Sequence, residues 1–370
     1  MNSLLRTLPF ALLAACQPQA DAVAQSSGAP FAVTPVAQFD SPWAMTFLPD
    51  GRMLVTEKQG RMLLVSADGK TKAPVSGIPA VSSAGQGGLM DVVLHPQFAR
   101  NKWVYFSFSE ARGEGRKGVA LARGVLAEGV RPGLRDVQIL FRASDYVDGD
   151  GHYSGRIAFA RDGKLFFTNG DRQKMDPAQD PKGTLGKVLR LNDDGTPAAG
   201  NPLAAKGFHP AVWSYGHRNL LGIAFDPAGN LWEQEMGPKG GDEVNLVLPE
   251  RNYGWPRASN GSHYDGRDIP DHRSGDGFEA PKVSWNPVIS PGGLIVYSGK
   301  LFPQWQGDLF IGGLSSEALV RVDVNGTNAA KGDQWPMGKR IRDVEQGPDG
   351  AIWLLEDGEG ARLLKLTKTE

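Results

Sequence analysis

Cysteine is almost absent from this sequence: of 370 residues, only Cys16 is one. No disulfide can close within the chain, so stability must come from packing and hydrogen bonding. An excess of one charge sign is also missing. Lys and Arg number 40 against 41 Asp and Glu, a formal net charge of −1. No strong field therefore draws in nucleic acid or an anionic lipid surface. Long hydrophobic runs are lacking as well. The apolar run that ends at Ala15 is far shorter than the roughly 20 residues a membrane span needs. No long stretch repeats its apolar residues at helical spacing, which argues against a helical protein. Glycine, by contrast, is abundant. Its 48 residues are nearly twice the usual ~7%. Such a density predicts many tight turns and many short strands.

The chain opens Met1-Asn2-Ser3-Leu4-Leu5-Arg6, then turns apolar and small. One basic residue before an apolar core predicts a secretory signal peptide over residues 1–15. Leu13-Ala14-Ala15-Cys16 resembles a bacterial lipobox, in which Cys16 becomes the lipidated first residue of the mature chain. The alternative is plain cleavage nearby. Either reading exports the protein. The expected location is periplasmic, with a lipid anchor as the only membrane contact. Residues 16–35 are rich in Ala, Gln, Ser and Gly and read as a flexible tether. One folded domain is expected over 36–370.

Within that domain one unit recurs: a short apolar strand, a Pro/Asp/Gly turn, a second apolar strand. Trp43 to Leu48, Pro49-Asp50-Gly51 and Met53 to Thr56 form the first copy. Others run from Arg156 to Thr168, from Leu220 to Glu235 and from Ile341 to Leu355. Looser copies lie at Leu89 to Tyr105 and Leu294 to Phe310. Six related units in a glycine-rich chain predict an all-β fold, a six-bladed β-propeller rather than a β-sandwich. Loops on one face of a propeller meet at its central axis, so residues distant in sequence can share a site at its mouth.

The polar groups flank these units. Gln86, His152, the pair Arg218-Asn219, and Arg340 with Arg342 precede successive copies. His152 follows Asp148-Gly149-Asp150-Gly151, and a loop His near acids can act as a base close to neutral pH. Asp171, just past the partner strand, is the expected orienter of His152. Arg340 and Arg342 alternate, which on a strand points both to one face. There they suit a polycarboxylate ligand, or an ion pair with Asp343 or Glu345. The stretch Gly237-Pro238-Lys239-Gly240-Gly241-Asp242-Glu243 is an oxygen-rich loop of the kind that suits calcium.

Taken in order, these pieces resemble the soluble PQQ-dependent aldose sugar dehydrogenases, relatives of soluble quinoprotein glucose dehydrogenase. The matching segments are Gly85-Gln86-Gly87-Gly88-Leu89, His152-Tyr153-Ser154-Gly155-Arg156, Asn169-Gly170-Asp171, Tyr215-Gly216-His217-Arg218-Asn219, Gly237 to Glu243, Asn252-Tyr253-Gly254-Trp255-Pro256, Ser284-Trp285-Asn286-Pro287 and Arg340-Ile341-Arg342-Asp343. The resemblance implies pyrroloquinoline quinone (PQQ) and Ca2+ as cofactors at the mouth of the axis. It implies an aldose oxidised at C1 to its lactone, and an electron acceptor that is a quinone, a cytochrome or a dye. His152 would take the C1 hydroxyl proton, with hydride passing to the quinone C5 carbonyl. Arg218 and calcium would polarise that carbonyl, and Asp171 would support His152 and the sugar. Gln86, Asn219, Tyr264, Arg340 and Arg342 match cofactor-contacting positions. Gly237 and Pro238 match the cofactor's calcium, and Glu243 and Tyr253 a second, structural one.

Two departures stand out. Some relatives carry a Lys on the cofactor after the fifth unit, where this chain reads Gly312-Gly313-Leu314-Ser315-Ser316-Glu317. Leu314 and Ser315 are the expected substitutes. Met236 stands where many relatives have His. Two readings from other classes stand beside the enzyme. One is a non-catalytic propeller that binds a carbohydrate or protein partner, supported only by the absent Lys. The other is a calcium-dependent lactonase on a similar scaffold, disfavoured by cations suited to an anionic cofactor.

Overall fold

The structure is a computed structural model that describes residues 28–369. The expected signal peptide, Cys16 and residues 16–27 of the tether lie outside the described residues. Among the described residues, six four-stranded antiparallel sheets follow one another along the chain. Their innermost strands are Pro42–Phe47, Leu89–Leu94, Ser154–Phe159, Leu220–Phe225, Pro291–Val296 and Ile341–Gln346. Each packs against the next, and the last packs against the first, so the ring closes. This is a six-bladed β-propeller, and each repeated unit is the inner hairpin of one blade. We number the blades 1 to 6 from Pro42.

The recurrent turn has a common physical cause. In blade 1 the Asp50 carboxylate accepts the Arg52 N–H at 3.1 Å. In blade 3 Asp162 accepts Lys164 N–H at 2.9 Å, and in blade 6 Asp349 accepts Ala351 N–H at 3.1 Å. The glycine after each Asp has φ between 78° and 89°, a region that favours glycine. Sequence-local chemistry thus reverses the chain without help from the core.

Blade 6 is built from both ends of the described chain. Phe31–Phe39 is its outermost strand and pairs antiparallel with Ala361–Lys368, from Phe31 opposite Lys368 to Phe39 opposite Ala361. That pairing draws residues 31–35, assigned above to the tether, into the sheet.

Charge as well as apolar packing fills the ring's centre. Arg156 of blade 3 bridges Asp91 of blade 2 at 3.1 Å and Asp343 of blade 6 at 2.9 Å. It also donates to the Leu221 carbonyl of blade 4 at 2.7 Å and lies over the Trp43 ring of blade 1. One guanidinium therefore ties five blades. Blade 5 contributes Gly293, where a Cβ would run into the Asp343 carboxylate.

Candidate active site

Every inner strand carries a register irregularity at its first residues. The irregularity loosens regular pairing at the end where the inner strands begin and the second strands finish, and bulges of this kind re-aim side chains. Lys58, Met236, Leu314 and Asp357 each stand one residue past a second strand, those ending at Glu57, Glu235, Gly313 and Glu356. Gln86, Tyr153, Asn219 and Arg340 stand just ahead of inner strands. These eight, with Trp43, Met90, Leu221 and Arg342, line a cavity of about 360 Å³.

Beside the cavity lies His152. Its backbone N–H donates to the Gln86 side chain at 2.7 Å, and its Nδ1 lies 2.7 Å from Asp171 Oδ1. Trp255 Nε1–H holds the other Asp171 oxygen at 2.8 Å. Gln179 in turn holds the Trp255 carbonyl at 2.6 Å. Both His152 and Asp171 are buried. Burial pushes the His152 pKa down from its ordinary value. The Asp171 hydrogen bond opposes this, and the Arg218 and Arg172 charges add to it. Burial would raise the Asp171 carboxyl, but its hydrogen bond and charge interaction with His152, and the Arg218 charge, hold it below the usual range. An ionised Asp171 fixes the proton on Nδ1 and leaves Nε2 unprotonated, the state of a general base.

His152 sits at φ 49°, in the left-handed region that a residue with a Cβ rarely adopts. The buried Arg172 holds it there. Its guanidinium donates to the carbonyls of Gly151 (2.9 Å), Lys117 (2.9 Å) and Gly149 (2.5 Å) and stacks 3.7 Å from the Tyr153 ring centroid. Arg172→Met should lower kcat about 10- to 100-fold, because small misplacements of a catalytic group cost that much. Removing the positive charge should also move the acid limb of the pH–rate profile upward. A variant with the parental profile and rate would show that the clamp is dispensable.

Arg218 links this centre to a second cavity. Its Nη1 donates to the Met236 carbonyl at 2.9 Å, and its Nη2 to the Tyr264 hydroxyl at 3.3 Å. The second cavity, about 10 Å³, is lined by Arg218, Glu235, Gly237, Pro238, Glu243 and Tyr253 among others. Behind it, ligand atoms of His217, Glu233 and Glu235 lie within 4.8 Å of one another, all buried. Burial disfavours a charged imidazole, yet the Glu233 and Glu235 carboxylates carry His217 up to about 9. Burial and the neighbouring carboxylates push Glu243 well above the usual carboxylate range.

The structure thus gathers Gln86, Asn219, Leu314, Arg340 and Arg342 around one cavity. It sets His152, Asp171 and Arg218 beside it and Gly237, Pro238, Glu243 and Tyr253 around the other. Tyr264 lies at the exposed rim, 75% accessible. Ser315 falls outside the cavity lining, its hydroxyl spent on the Val288 carbonyl at 3.3 Å. The acid that pairs with the arginines is neither Asp343 nor Glu345. Asp357 takes Arg340 at 2.8 Å and Arg342 at 2.9 Å, while Asp343 is committed to Arg156. Lys58, Asp357, Arg172 and the partner role of Trp255 escaped the sequence reading. Lys58 and Asp357 were findable, for they occupy the second-strand exit that holds Gly170-Asp171 in blade 3.

Ring, cavity and His–Asp pair define a propeller with a general base set beside a cationic cavity at its mouth. The chain belongs to the glucose/sorbosone dehydrogenase family, whose family model matches residues 39–365. Aldose sugar dehydrogenase YliI of Escherichia coli is 38% identical over 337 residues, 89% of this chain and 91% of that protein. The apo-form structure of the soluble E. coli aldose sugar dehydrogenase superposes with a TM-score of 0.87 at 37% identity, covering 92% of this chain and all of that one. The PQQ-bound aldose sugar dehydrogenase of Streptomyces coelicolor gives 0.77 at 31% identity, covering 91% and 98%.

Proposed function

We propose that this protein is an exported, PQQ- and calcium-dependent dehydrogenase that oxidises aldoses at C1 to lactones. The observation that carries the reading is the buried His152–Asp171 pair beside a cavity whose charged side chains are Lys58, Arg340, Arg342 and Asp357. Three cations against one carboxylate suit a tricarboxylate cofactor. Gln86 and Asn219 would offer it amides, and Trp43, Met90 and Leu221 apolar contact. PQQ, when bound, supplies the two-electron acceptor for the hydride from C1. His152 Nε2 removes the C1 hydroxyl proton, and Asp171 keeps the tautomer and stabilises the imidazolium that forms. Arg218, beside them, would lend positive charge to stabilise the reduced acceptor.

Calcium fits the second cavity by its donors. Gly237, Pro238, Glu243 and Tyr253 all line it; the first two would hold the cofactor's calcium and the last two the second, structural one. Glu233 Oε2 is buried without a hydrogen-bond partner. The cluster of Glu233, Glu235 and Glu243 has His217 as its adjoining cation, an arrangement that a divalent ion completes.

Export, with or without a lipid on Cys16, is proposed from the opening residues. The electron acceptor would then be a quinone, a cytochrome or, in the assay, a dye. Apoprotein supplied with PQQ and calcium singly and together, with a dye as acceptor, tests the reading. Aldose oxidation that requires both is the expected result. Oxidation without PQQ, or none with both, overturns it.

A further inference from the structure

The family resemblance implies a cofactor-contacting Lys after the fifth blade, where this chain reads Leu314-Ser315. The cavity nonetheless holds an ammonium group, on Lys58 of the blade 1 exit. Lys58 and Leu314 occupy the same place in their blades, each one residue past the second strand. The propeller's pseudo-symmetry lets a cation enter one cavity from either.

Lys58 is held for such a task. Its N–H donates to the Ser41 carbonyl at 2.9 Å, and its own carbonyl accepts Leu89 N–H at 3.1 Å. Its stem lies against Gly88, where a Cβ would come within 2.7 Å of Lys58 Cγ. The ammonium donates to the Gly85 carbonyl, next to Gln86. Among the described residues no carboxylate pairs with it. By contrast, Arg340 and Arg342 share Asp357, so the arginine side of the cavity carries one surplus charge. An unpaired ammonium at a cavity wall, near the amide that steadies His152, is an anion contact waiting for its partner.

We propose that Lys58 takes one carboxylate of the cofactor and replaces the ammonium missing from the fifth blade. This rests on the PQQ reading above. The test is direct titration of apoprotein with PQQ, followed by tryptophan fluorescence at low and high salt, for the parent, Lys58→Met, Lys58→Gln and Lys58→Arg. Both neutral variants should bind about 10- to 100-fold more weakly, in keeping with a charge-assisted hydrogen bond. Their affinity should also fall less steeply with salt. Lys58→Arg should stay within a few-fold of the parent. Thermal melts of the apoproteins should coincide, which separates lost binding from lost fold. Neutral variants that bind within twofold of the parent, or keep its salt dependence, overturn the role of Lys58 alone. A parent that binds no PQQ overturns the cofactor reading and the Lys58 role with it.

Discussion

His152→Ala is expected to reduce kcat by about 10²- to 10⁴-fold, the usual worth of a positioned general base. PQQ binding and the melting temperature should change little, since Asp171 keeps the Trp255 indole and the Gln173 and Met175 N–H groups as donors. The pH profile gives the finer check. Only neutral His152 can accept a proton, so the rate should rise with pH through the His152 pKa. That pKa lies below the ordinary histidine value, because burial outweighs the Asp171 hydrogen bond. The acid limb should therefore fall below pH ~6.5. It should vanish in His152→Ala. Asp171→Asn should keep the fold but weaken the preference for the Nδ1–H tautomer, with a smaller loss in kcat. A His152→Ala enzyme that turns over at the parental rate would remove this residue from the chemistry.

Arg156→Met should have the largest effect on stability. Met fills much of the space, but Asp91 and Asp343 then face each other across the axis with no cation between them. Breaking a buried pair by removing one partner costs roughly 3–5 kcal/mol, and urea unfolding should show a loss of that order. The deficit should depend on pH. Burial pushes Asp343 up to about 6 even with Arg156 present, and the variant should push it higher. A carboxyl whose folded pKa exceeds its unfolded value favours the fold below the unfolded pKa and weakens it as pH rises toward the folded one. The variant should therefore recover toward pH 5 and fare worst near pH 8. Adding Asp91→Asn and Asp343→Asn should restore most of the loss. A single variant as stable as the parent would show that the axis tolerates bare carboxylates.

The inner hairpins were legible because their cause is local. Apolar strands and Asp-Gly turns lie within about 15 residues, and each of the six units became the inner hairpin of a blade. His152 and Asp171 were legible for the same reason, standing at the two ends of one hairpin. What escaped depends on closure. Arg172 reads as an ordinary surface residue until the loop at Gly149 and Gly151 folds onto it. Asp357 meets Arg340 and Arg342 only across the blade 6 hairpin. Arg156 finds Asp91 and Asp343 through the ring, at separations of 65 and 187 residues along the chain. The two ends of blade 6 lie even farther apart, so a boundary drawn from composition missed residues 31–35.

That last strand also sets how the molecule can be held. Phe39 runs through Asp40 to Ser41 at the cavity mouth, so Phe31, at the other end of the strand, lies on the opposite face. Lys368 is paired with it there. A handle joined to either end therefore attaches behind the reaction face. Fixed at Phe31 or Lys368 to an electrode or a bead, the protein would turn its cavity mouth toward the solution.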